Sequence, residues 1–141
     1  MSTYVREKVL RVPMDKVDFS FIKTAVEAKF PNEDVDDDFD FYLEQTFPEL
    51  FDYAEVGKFQ MSPTCTPYLD YVLEYESDAD GEYGKTRSLT DREKNKYLPV
   101  FQKVDPNINM NWVRLVEFCW YNCSEADDYY DHMNDPFYDE V

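Results

Sequence analysis

Pro67-Tyr68-Leu69-Asp70-Tyr71-Val72-Leu73-Glu74-Tyr75-Glu76 reads as a strand. Aromatic and branched residues dominate it, and they suit a pleated, half-buried surface. The run Ser77-Asp-Ala-Asp-Gly-Glu-Tyr-Gly84 follows and is built from turn formers. Residues 85–89 then return, so a hairpin is expected, and with it an antiparallel sheet.

Outward from this stretch, residues 4–12 form a second expected strand, rich in Val and Leu and closed by Pro13. Residues 58–62 make a third. Residues 109–121 read as a long buried strand, although Val113, Val116 and Trp120 also fit a helical spacing. Asp18 or Ser20 caps a helix whose apolar face is Phe19, Ile22, Val26 and Phe30, and Pro31 ends it. A second helix is expected over 39–45. A third has Thr46 near its cap and Pro48 in its first turn, with Leu50, Phe51 and Ala54 facing inward. Thr90-Asp-Arg-Glu93 is a capping box, the most specific local signal in the chain, with Pro99 expected to break or kink the helix it opens. Ser124 caps a short acidic helix ending near Met133. The fold class is therefore α+β, a small mainly antiparallel sheet with helices packed on one face, and residues 1–141 form one domain.

Charge is distributed in blocks. The net charge is −17. Sixteen acids against Lys58 alone give residues 30–82 a charge of −15, and eight acids with no Lys or Arg give residues 115–141 a charge of −8. The acids alternate with aromatics, as in Asp38-Phe39-Asp40-Phe41-Tyr42-Leu43-Glu44. Disordered acidic tails are poor in aromatics. A chain that is 18% aromatic instead carries its acids on a folded scaffold. Negative charge also serves solubility, but a rigid one-signed surface costs self-repulsion and invites a basic partner. Direct nucleic-acid binding is not expected, because the long-range field opposes it. The basic stretch 85–96 reads as a solvated face paired with neighbouring acids.

No run of about 18 apolar residues exists, and the first residues lack the apolar stretch of a secretory signal. No membrane contact and a cytoplasmic location are expected. Three cysteines are too few for a disulfide framework. Three glycines cannot build a Gly-rich phosphate loop, and no nucleophile signature surrounds any Ser or Cys, so no catalysis is expected. One constellation carries possible chemistry. Cys65, Cys119, Cys123 and His132 make a Cys3His set of the kind that closes a structural zinc site. The spacing is no standard finger, and buried free cysteines are also ordinary core residues. The acidic loop 33–40 lacks the order and the glycine of a calcium loop.

A small, strongly acidic, glycine-poor α+β domain without an active site resembles the phage- and mobile-element-encoded inhibitors of bacterial defence, the DNA-mimic anti-restriction proteins and the anti-CRISPR proteins that block type II nucleases. The resemblance is one of overall character and carries no diagnostic motif. It implies an inhibitor that occupies the positively charged channel or motif-reading arginines of such a nuclease. Candidate contact residues are Glu33, Asp34, Asp36, Asp37, Asp38 and Asp40, then Asp70, Glu74, Glu76, Asp78, Asp80 and Glu82. The alternative is a non-catalytic acidic interaction module with a structural zinc.

Overall fold

A computed structural model describes residues 3–61, 67–79 and 85–122. The elements run β1 (Thr3–Pro13), α1 (Ser20–Lys29), α2 (Phe39–Thr46), β2 (Phe59–Met61), β3 (Tyr68–Ala79), β4 (Lys85–Ser88), α3 (Asp91–Phe101) and β5 (Arg114–Asn122), with single 3-10 turns at Met14–Lys16 and Met110–Trp112. The strands form one antiparallel sheet in the order β2-β3-β1-β5-β4, so the expected α+β class holds.

Strand alternation divides β1 between two environments. Leu10 and Val12 join Leu69, Ile22, Val26, Leu43 and Phe101 in the main core, where α1, α2 and α3 all bury their apolar positions. Val5 and Val9 join Tyr68, Val72, Val116 and Phe118 in a second cluster to which no described helix contributes. Charged side chains share this second face. Arg11 is fully buried and donates from Nε and Nη2 to the two carboxylate oxygens of Asp70 at 2.8 and 2.9 Å. Its guanidinium also lies 4.6 Å from the ring centroids of both Tyr68 and Phe118. A planar fork with two parallel bonds and two ring faces is the geometry that arginine, and not lysine, provides.

Four expectations are corrected. β3 and β4 do not pair as the expected hairpin, because β3 pairs with β1 and β2 while β4 lies on the opposite edge beside β5. The expected third helix is absent from 46–54. Thr46 instead ends α2, Phe51 bridges to Phe59, and Phe59 N donates to Leu50 O at 2.7 Å, which uses the backbone a helix would need. The strand expected from 109 starts at Arg114, after the turn at Met110–Trp112. Pro99 does not break α3, which runs two residues further to Phe101. The 124–133 helix lies outside the described residues.

Candidate acidic partner-binding surface

Residues 31–57 contain ten acids and no Lys or Arg. Pro31 stops α1, and the chain then folds into a turn tied at several points. Val35 is buried and pins the turn to the core. Asp34 Oδ1 accepts from Asp36 N at 3.2 Å, and Asp34 O accepts from Asp37 N at 3.2 Å. The Lys23 ammonium meets Asp36 at 2.8 Å. Phe30 packs edge-on against Tyr42 at 4.9 Å, and Phe19 against Phe39 at 5.7 Å. Glu33, Asp34, Asp36, Asp37, Asp38 and Asp40 are all exposed, so the structure brings this first candidate group together on one surface.

Like charge is crowded around Asp38. The neighbouring Asp40 carboxylate raises the Asp38 carboxyl, with burial and Asp37 adding less. Burial raises Glu44, and Asp52, Asp40 and Asp38 push it further. Burial and then Glu33 raise the Tyr42 phenol. These couplings join the turn, α2 and the Asp52 region into one negative neighbourhood.

The stretch after α2 extends it. Glu49, Asp52 and Glu55 are exposed, as are Tyr53 and Val56. Ala54 sits at φ 57° and Gly57 at φ 86°. A left-handed conformation costs an alanine about 1–2 kcal/mol, and a buried relay holds it there. Ala54 N donates to Gln60 Oε1 at 2.6 Å, and Gln60 Nε2 donates to the buried Glu7 at 2.6 Å. Glu44, Glu49, Asp52 and Glu55 are absent from the contact set expected from sequence. The one-signed run contains all four, and Glu49 and Asp52 fall where a helix is wrongly expected.

The second candidate group is not brought together. Asp70 is fully buried against Arg11 and cannot touch a partner's surface, which removes it from the site. Glu74 and Glu76 are exposed but face Lys8 at 3.2 Å and Arg6 at 4.0 Å. The backbone of Asp78 belongs to β3, and Asp80 and Glu82 lie outside the described residues.

Of the Cys3His set, Cys119 alone is described, nearly buried in β5 opposite Arg6. Cys65, Cys123 and His132 lie outside the described residues, and with them the zinc expectation. Among the described residues no three His, Cys, Asp or Glu side chains converge as a metal site. The capping box forms as expected, with Thr90 Oγ1 accepting from Glu93 N at 3.2 Å and Glu93 Oε1 accepting from Thr90 N at 2.9 Å. Arg87 adds two bonds to the same carboxylate at 2.8 and 2.9 Å and drives it down to about 2. No described helix is long and apolar enough to cross a membrane. No family model, curated protein or solved structure matches the chain.

Proposed function

We propose that this chain is a non-enzymatic inhibitor that occupies the basic, DNA-handling surface of a nuclease and excludes DNA from it. A bacterial defence nuclease of the RNA-guided type is the favoured partner, met in the cytoplasm. The observation that carries this reading is the fixed, one-signed surface of residues 31–57, with nine of its ten acids exposed and the turn that bears them anchored to the core. B-DNA presents one negative charge per roughly 1.7 Å of axis, so a channel lined for DNA carries cations that this surface would meet with its carboxylates. Side chains already held in place lose less freedom on binding than a disordered acidic tail would.

Electrostatic steering makes association fast and salt-sensitive. Raising salt from about 50 to about 500 mM shortens the reach of exposed charge to about 4 Å. Association with a purified RNA-guided nuclease, and protection of that nuclease from target DNA, should both weaken across this range. Binding indifferent to salt, or unimpaired capture of target DNA by every nuclease tested, would overturn the reading.

A further inference from the structure

β3 is much longer than the strand beside it. β2 pairs only with Leu69, Asp70 and Tyr71, after which Gly57 N donates to Val72 O at 2.8 Å and Val72 N to Lys58 O at 3.0 Å. Beyond Val72, among the described residues, β3 is paired on its β1 side alone. Residues 73–77 therefore present a strand edge, with every second N–H and C=O aimed away from the sheet. A register shift at Lys8/Val9 places two β3 residues, Leu73 and Glu74, where a regular ladder would place one.

A cavity of about 470 Å³ extends from this edge across the sheet face, over Arg6 and Lys8 of β1 as far as Glu117 of β5. Its apolar lining is Val56, Leu73 and Tyr75, and Val56 is 57% exposed at the lip. The relay from Glu7 through Gln60 to Ala54 fixes that lip from behind. Glu74 and Glu76 stand at the mouth with side chains 69% and 62% exposed, while Lys8 and Arg6 beneath them are 37% and 31% exposed. An arriving partner meets the carboxylates first, and exposed ion pairs of this kind are weak enough to exchange.

We infer that the outer edge of β3 and this cavity accept an extended basic segment of a protein partner as an added strand. The segment's main chain bonds to residues 73–77, an apolar side chain rests between Val56 and Leu73, and its Lys or Arg residues face Glu74 and Glu76. The inference rests on the reading of a basic protein partner and adds a second, shape-dependent contact to the acidic surface of residues 31–57.

The test uses the full chain and a labelled synthetic peptide of alternating Lys/Arg and Val, with a Glu/Val peptide as control. Anisotropy reports affinity, and amide exchange by NMR reports strand addition. The basic peptide should bind and slow the exchange of those amides between 73 and 77 that face away from β1. Val56→Arg, and separately Glu74→Gln with Glu76→Gln, should each weaken it about five- to tenfold, the size of one or two surface charge contacts. Amides between 73 and 77 that face away from β1, if already slow in the free chain, would mean that the edge is occupied, and sedimentation would show whether a second copy does so; either result overturns the inference. Peptide shifts confined to 33–52 and unmoved by Val56→Arg would also overturn it, while leaving the acidic-surface reading intact. Failure of both the basic peptide and a basic nuclease to bind at low salt would remove both.

Discussion

Two parts of this molecule use charge in opposite ways. On the sheet face that carries Val5 and Val9, Arg11, Asp70 and Glu7 are fully buried, and each charge is matched by a named bond. Across residues 31–57 nine of the ten acids are exposed, few have a cation, and the Asp40 carboxylate raises the Asp38 carboxyl beside it. The first arrangement makes a fold that depends on its charges. The second leaves the fold indifferent to its charges and makes them available to something else. Substitutions should therefore damage folding in the first region and binding in the second.

The largest effect is expected at the buried pair. Asp70→Ala leaves Arg11 charged without its carboxylate and should cost about 3–5 kcal/mol, whereas Arg11→Met with Asp70→Leu should be far milder, because the desolvation cost leaves with the charges. Urea denaturation of the three proteins decides it, and a single variant as stable as the parent would dissolve the contrast. Next is the cap of α3, where Thr90→Ala should cost about 1 kcal/mol by removing the acceptor for Glu93 N. A melting temperature unchanged by that substitution would mean that the Arg87 bonds alone hold the helix start.

Acid should separate charge that is paired from charge that is crowded. Glu93 is lowered from 4.5 to about 2, so its contribution is complete above pH 4.5 and is lost as pH falls through that window. Asp38 and Glu44 are raised, so the folded state takes up their protons first and stability rises as pH falls through their titration. Glu93→Gln should flatten the acid-side loss, and Asp38→Asn with Glu44→Gln should flatten the gain. Melting curves between pH 7 and pH 3 check both signs, and slopes that move the other way would refute the assignment. The smallest stability effect belongs to Asp36→Asn, Asp37→Asn and Asp38→Asn together, within about 0.5 kcal/mol of the parent. The same triple variant should weaken nuclease inhibition, and full potency would remove this turn from the contact.

What could be read in the sequence was what neighbours along the chain decide. Thr90 and Glu93 are three residues apart and cap each other whatever the rest of the chain does. Ile22 and Val26 are buried as their spacing requires. The hairpin failed because turn formers at 77–84 say that the chain changes direction, not which strand the next one joins. β4 found β5, thirty residues on, and not β3. The burial of Asp70 had a signal that went unused. It alternates with Tyr68 and Val72 on one face of a strand, and Arg11 follows Val9 in the same way. A charge at an apolar-face position calls for an opposite charge across the ladder. Ala54 had no signal at all, since its left-handed backbone is imposed by Gln60 and the bridge between Phe51 and Phe59.

The central place of β1 has a consequence in time. Val5, Val9, Leu10 and Val12 are made first, but Thr3 pairs with Asn122 and Arg11 with Arg114. At about 5–20 residues per second, a ribosome needs roughly 5–20 s to travel from Pro13 to Asn122. Until Ala79 is made the strand destined for the middle of the sheet has neither neighbour, and until Asn122 it still lacks β5; long-range pairing of this kind is slow even afterwards. A nascent chain with an apolar strand waiting for partners is open to chaperones and to other nascent copies. Yield of folded protein should therefore follow the rate of translation across residues 14–122 more closely than the stability of the finished domain.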